Sequence, residues 1–137
     1  MKYLLDTNIC IYLIKQKPPW VVHHFSAHAV DSIGLSTVTV SELYYGVAKS
    51  RKVAQNRQAL QEFLLPLSIA HYDSQAAEIY GPIRATLERS GNMIGPLDMM
   101  IAAHALSLDV TLVTNNEAEF SRVAGLRIEN WASGQAE

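Results

Sequence analysis

Four times in this chain a short apolar run stops at a polar junction and passes straight into a helical stripe, and that alternation constrains the fold more than any other feature. Residues 2–5 read as a buried strand that ends at Asp6-Thr7-Asn8, after which Ile9, Tyr12 and Leu13 share one side of a helix. Gly34-Leu35-Ser36-Thr37 leads into Val40, Leu43, Tyr44 and Val47, the i, i+3, i+4, i+7 spacing of an amphipathic helix. Residues 67–71 precede a stripe of Ala76, Ile79, Tyr80, Ile83 and Leu87, and Val110 to Thr114 turns at Asn115-Asn116 into a short helix over 117–123. A last strand is expected at Leu126 to Glu129. Strands separated by helices pair in parallel, because the helix is the crossover that returns the chain. The expected fold is therefore α/β, with a mostly parallel central sheet of about five short strands flanked by helices.

The remaining segments fit that plan. Pro18-Pro19 ends the first helix, and further helices are expected at residues 20–30, 54–64 and 97–108. Gly81-Pro82 falls inside the 73–90 stripe, where a proline costs about 3 kcal/mol, so a kink or split is expected there. With 137 residues the chain suits one domain, expected to run from 1 to 131, with 132–137 as a frayed tail. Hydrophobic residues make up 49% and charged residues 18%, a globular mixture with no run long enough to span a membrane. A single cysteine, Cys10, rules out an internal disulfide and a cysteine zinc site, and together with the lack of a secretory signal it points to the cytoplasm. The net charge of −2 argues against gripping nucleic acid through bulk charge, so any such site must be a local patch; Lys49, Arg51, Lys52 and Arg57 form the clearest cluster.

Acids recur at one kind of address. Asp6 follows the first strand, Glu42 sits near the start of the helix after the second, Asp98 lies just past Pro96, and Asn116 with Glu119 follows the fourth strand. Each has a structural explanation. Asp6 suits an N-cap, Thr39-Val-Ser-Glu42 has the form of a capping box, Asn116-Glu-Ala-Glu119 resembles another, and Asp98 at N3 complements the helix dipole. Their common location supports a second explanation. Ligands bind beyond the carboxyl ends of parallel strands, and the strand-to-helix junctions lie on that edge. Carboxylates gathered there repel, by roughly 3 kcal/mol for two charges about 5 Å apart at an effective dielectric near 20. Protons or a divalent cation must relieve the repulsion, and oxygen ligands favour Mg²⁺ or Mn²⁺ over zinc. Such a centre can activate water for phosphodiester cleavage, with Thr7, Asn8, Ser41 and Thr114 available to orient ligands or the attacking water.

Leu-Asp-Thr-Asn at 5–8, Ser-Glu-Leu-Tyr-Tyr-Gly at 41–46, Ile-Gly-Pro-Leu-Asp-Met-Met-Ile-Ala-Ala-His-Ala at 94–105 and Leu-Val-Thr-Asn-Asn-Glu-Ala-Glu-Phe at 112–120 together resemble the PIN-domain ribonucleases, in particular the VapC-type toxins of bacterial toxin–antitoxin pairs. The resemblance runs nearly the whole chain. It implies a three-layer PIN fold and a Mg²⁺- or Mn²⁺-dependent endoribonuclease, with Asp6, Glu42 and Asp98 as metal ligands. Asn116 occupies a position that is often Asp in the family, which weakens a second metal site and leaves Glu119 as the other candidate for the catalytic set. The resemblance further implies a small cognate antitoxin, an RNA substrate and a homodimer. The chain is also similar to the subgroup that cuts initiator tRNA in the anticodon loop. Beside Glu42, Tyr45 and Lys49 could stack a base and touch a phosphate.

Rival chemistries fit less well. A histidine-based ribonuclease needs an acid–base pair, but His23, His24 and His28 have no carboxylate orienter in sequence, His71 has no partner group, and His104 diverges from Asp98 by about 240° around the helix. A phospho-acceptor domain needs a lysine after a late strand, where Thr114 is followed by Asn115-Asn116. A catalytically inactive binding module of the same fold is favoured only by the neutral Asn116.

Overall fold

The computed structural model describes residues 1–133; within the expected tail, 134–137 lie outside the described residues. β1 (Tyr3–Leu5), β2 (Ile33–Ser36), β3 (Ser68–Ala70), β4 (Thr111–Val113) and β5 (Ile128–Glu129) form one sheet in the order β3-β2-β1-β4-β5. Every pairing is parallel. Between the strands run α1 (Thr7–Lys15), α2 (Pro19–Ser26), α3 (Thr37–Ala48), α4 (Val53–Leu64), α5 (Ser74–Ser90), α6 (Pro96–Leu108) and α7 (Glu117–Phe120).

Strand alternation makes the layers. Leu4 pairs with Leu112 and Leu5 with Val113 in register, and neighbouring residues of a strand point to opposite faces. Leu4 and Leu112 accordingly join a core with Leu87 of α5, Ile101 and Ala105 of α6 and Phe120 of α7. Leu5 and Val113 join Ile9 and Leu13 of α1, Val21 of α2, Leu43 of α3 and Leu60 of α4. Both faces of the central strands are thus dry, which is why the strands read as uninterrupted apolar runs. The chain leaves β1 in one direction for β2 and β3, then returns to the other side of β1 with β4. The reversal point of this parallel sheet lies between β1 and β4, at their carboxyl ends.

Local details correct three expectations. Residues 74–90 form one continuous helix, so Gly81-Pro82 does not split it. Both residues are exposed, and so is Glu78, whose carbonyl receives no amide from Pro82. The short C-terminal helix ends at Phe120 rather than Val123. The start of the expected tail is held in place. Ala132 donates its amide to Asn130 Oδ1 at 2.9 Å, and its carbonyl accepts from Trp20 Nε1 at 3.1 Å. Trp131 is buried and stacks on the imidazoles of His28 and His24, with centroids 4.9 and 6.0 Å away.

One glycine is required by packing. A Cβ on Gly34 would stand 2.7 Å from the carbonyl oxygen of Ser68 on β3 and 2.6 Å from the Met1 side chain. Gly34→Ala is expected to push β3 away and cost about 1–3 kcal/mol, as overpacking does. A urea midpoint unchanged by the substitution would refute the close approach of β2 and β3.

Candidate active site

Asp6 sits where β1 becomes α1. Its backbone amide still belongs to the sheet, donating to the Val113 carbonyl at 3.0 Å, while its side chain begins the helix. Oδ1 accepts from the Ile9 amide at 3.0 Å, the N-cap bond expected from sequence. Oδ2 accepts a short hydrogen bond from the hydroxyl of Thr114, at the end of β4. That hydroxyl in turn accepts from the Asn116 amide at 2.9 Å. The reversal point of the sheet is therefore tied across its two central strands through Asp6. Asp6 is 5% exposed, and burial pushes its carboxyl up to about 6, against the Thr114 and Ile9 hydrogen bonds and with a further upward push from Glu42.

Glu42 reaches the same edge by a different route from the expected one. Ser36, the last residue of β2, is the N-cap of α3 and accepts from Val38 N at 3.0 Å, so the helix begins before Thr39. The Thr39–Glu42 capping box does not form. Thr39 is fully buried with its hydroxyl unpartnered, and Glu42 lies in the second turn. Freed from capping, the Glu42 carboxylate accepts from Thr7 Oγ1 of α1 at 2.5 Å.

Asp98 occupies the first turn of α6, which has Gly95 as N-cap and Pro96 at its first position, as expected. Its carboxyl is pushed up to about 6 by burial first, then by the charges of Glu119, Glu42 and Asp6. Asn116 does not cap α7 with its side chain. It donates through Nδ2 to Glu119 Oε1 at 2.8 Å, so the second expected capping box is also absent. The two residues pair with each other, and the carboxylate of that pair faces Asp98.

Asp6, Glu42, Asp98 and Glu119 are thus electrostatic neighbours at one sheet edge, each supplied by a different strand-to-helix or loop-to-helix junction. Among the described residues, no three carboxylate, imidazole or thiol groups stand close enough together to hold a metal ion; the acids act on one another through their charges along this edge. Thr7 and Thr114 hold two of these acids, whereas Asn8 and Ser41 are exposed and their side chains hold neither. The histidines lie elsewhere. His104 is buried, bonds Ser36 Oγ through Nδ1 at 2.8 Å and has its pKa lowered by burial. His24 and His28 brace Trp131, and His23 and His71 are exposed.

Two features had no clear local signal. Asn115 donates to the Tyr12 hydroxyl at 2.9 Å, anchoring the turn after β4 to α1. A cleft of about 350 Å³ runs between α1, α3 and α4, walled by Ile11, Ile14, Leu43, Val47 and Leu60, with Glu42 on its margin. The apolar stripes of its helices were legible, but not that they part to leave a gap.

Carboxylates gather at the reversal point of a wholly parallel, three-layer sheet, the edge at which ligands bind in open α/β folds. The chain belongs to the PIN domain family, whose model matches residues 3–126. It is 44% identical over 132 residues to a tRNA(fMet)-specific endonuclease VapC of Shigella flexneri, covering 96% of this chain and 99% of that protein. It is also 44% identical to ribonuclease VapC2 of Haemophilus influenzae over 131 residues, 96% of this chain and 98% of that one. Among solved structures, DNA-bound VapBC of Salmonella typhimurium aligns with a TM-score of 0.90 and 43% identity, covering 96% of this chain and 98% of the other. VapBC2 of Rickettsia felis, bound to a DNA fragment from its promoter, aligns with a TM-score of 0.89 and 40% identity, covering 96% and 99%.

Proposed function

We propose that this protein is the toxin of a toxin–antitoxin pair, an endoribonuclease that hydrolyses RNA phosphodiester bonds, with initiator tRNA cut in the anticodon loop as its substrate. The observation that carries the reading is the gathering of four carboxylates at one sheet edge, where burial pushes Asp6 and Asp98 up to about 6, with Glu42 adding to the first and Glu119, Glu42 and Asp6 adding to the second. Relatives named as VapC ribonucleases and solved as VapBC complexes support it. The donor chemistry suits a hard divalent cation, since every candidate ligand is a carboxylate, and the side chains must draw closer together to grip one. Asp6, Glu42 and Asp98 would hold Mg²⁺ or Mn²⁺, and Glu119, oriented by Asn116, completes the acid ring. When bound, such an ion lowers the pKa of water and stabilises charge on the leaving oxygen. Thr114 and the Ile9 amide fix the Asp6 carboxylate, and Thr7 fixes that of Glu42, so two of the three proposed ligands are held in place.

The alternative of an inactive binding module rested on the neutral Asn116, and Glu119 offers the carboxylate that Asn116 lacks. A small antitoxin is the expected protein partner, and the apolar cleft beside Glu42 offers it a place from which to cover the acids. No helix among the described residues is long and apolar enough to cross a membrane, and the proposed site of action is the cytoplasm.

The test is cleavage of total bacterial RNA and of an initiator tRNA transcript by antitoxin-free protein, with Mg²⁺ or with EDTA. Few cuts, 5′-phosphate and 3′-hydroxyl ends and silence in EDTA are expected. Cyclic-phosphate ends or activity surviving EDTA would overturn the metal-centred reading. Binding should also be visible without turnover. Mg²⁺ or Mn²⁺ is expected to raise the melting temperature well above pH 6 and to lose that effect well below it, because Asp6 and Asp98, both at about 6, take up protons there and stop being ligands. Equal metal stabilisation on both sides of that range would count against these two ligands.

A further inference from the structure

The hairpin joining α3 to α4 carries a charge segregation that the acid pocket does not use. Residues 43–61 contain four cations, Lys49, Arg51, Lys52 and Arg57, and no acid, so the rest of the chain carries a formal −6 within a total of −2. All four are exposed, and the ion pairs among the described residues, Arg84–Glu88 and Arg127–Asp109, involve none of them. Cations concentrated on one arm of an acidic protein and left unpaired with carboxylates are a local electrostatic footprint for a polyanion. The arm also answers a physical difficulty. A phosphate approaching Asp6, Glu42, Asp98 and Glu119 meets repulsion, which a neighbouring cationic surface offsets.

Aromatic and backbone features narrow the partner. Tyr45 lies three residues after Glu42, one turn or about 5 Å along the helix, and is 66% exposed. Lys49 Nζ stands 4.7 Å from the centroid of its ring, and Arg57 lies 5.7 Å from that of Tyr44, bringing the α4 cation alongside α3. Gly46, next to Tyr45, has nothing within 4 Å of where a Cβ would sit, although glycine in a helix interior is unfavourable relative to alanine. The helix backbone is therefore open to close approach on the flank that leads from Glu42.

We propose that the face of α3 from Glu42 through Tyr45 to Lys49, continued by Arg51 and Lys52, is the track along which a single-stranded segment of the RNA substrate lies. One base stacks on Tyr45, phosphates follow the cations, and the bond to be cut reaches the acids beyond Glu42. A single strand is specified because a lone exposed ring can stack only an unstacked base. The inference rests on the ribonuclease reading.

The test measures binding of an initiator tRNA transcript in an Asp98→Asn background and steady-state cleavage in the active protein, with circular dichroism to confirm folding. Tyr45→Ala is expected to weaken binding about tenfold and Tyr45→Phe to restore it. Lys49→Ala, Arg51→Ala and Lys52→Ala together should lower the slope of log affinity against log salt by about two. Both changes should raise KM and leave kcat in place. Cleavage by wild type with binding, salt slope and KM indifferent to these variants would overturn the track and leave the nuclease reading intact. Hairpin-dependent binding without cleavage by wild type would keep the track and remove the nuclease reading. Loss of binding to a co-purified antitoxin, with tRNA binding unchanged, would assign the arm to the protein partner and overturn the proposal.

Discussion

Asp98→Asn should abolish RNA cleavage while leaving the metal-free protein at least as stable as wild type. The substitution keeps the shape of the side chain and removes one negative charge from a pocket where Glu119, Glu42 and Asp6 all push the Asp98 carboxyl up, after burial, to about 6. At neutral pH the folded protein carries that repulsion and the unfolded chain does not, so removing the charge favours folding. Catalysis moves the other way. Loss of an outer-sphere partner already costs about 10–100-fold in metal affinity or activity, and loss of a ligand costs more, so a fall of at least about a hundredfold is expected. Cleavage kinetics and a thermal melt in EDTA on the same preparation check both halves. A folded variant with wild-type turnover would remove Asp98 from the site. A variant with a much lower melting temperature would show that its place at the head of α6 matters more than its charge.

Asp6→Ala should be equally inactive, but its stability should depend on pH in a particular direction. Three effects compete. Losing the N-cap of α1 costs about 1 kcal/mol. The buried Thr114 hydroxyl loses its acceptor, at about 1–3 kcal/mol. Against these, wild type at neutral pH holds a buried carboxylate displaced from 3.8 to about 6, worth about 3 kcal/mol of destabilisation. A group whose folded pKa is raised contributes its full stability below the unfolded pKa and loses it as pH rises through the folded one. Wild type therefore gains stability relative to the alanine variant as pH falls from above 6 toward 4. In metal-free buffer the two should unfold at similar urea concentrations near neutral pH, with the variant clearly weaker in acid. A gap that instead narrowed in acid would mean that the ionised form of Asp6 is stabilised by the fold.

The local interactions explain which parts of this site were legible early. Asp6 bonds an amide three residues on, and Pro96 with Asp98 obeys the first-turn preferences of any helix. Such features depend on a few adjacent residues, so spacing reveals them. The two capping boxes failed because the same local chemistry had several solutions. Ser36, Thr37, Thr39 and Ser41 can all cap a helix, and the choice fell to where β2 stops pairing with its neighbours. Asn116 and Glu119 can each bond the backbone or bond one another, and in the folded protein they bond one another.

By itself the sequence determined the alternation of strands and helices, a mostly parallel sheet flanked by helices, and the set of acids placed at junctions, because periodicity and capping are short-range properties of the chain. Tertiary structure decided how those acids meet. Thr7 holds Glu42 across 35 residues and Thr114 holds Asp6 across 108, contacts set by strand order and helix packing rather than by spacing. The cleft between α1, α3 and α4 belongs to the same category, whereas the cations beside it already form a cluster in the sequence. The cleft exists because three helices pack on one sheet face without filling the space between them, a result of volume and orientation that no local pattern encodes.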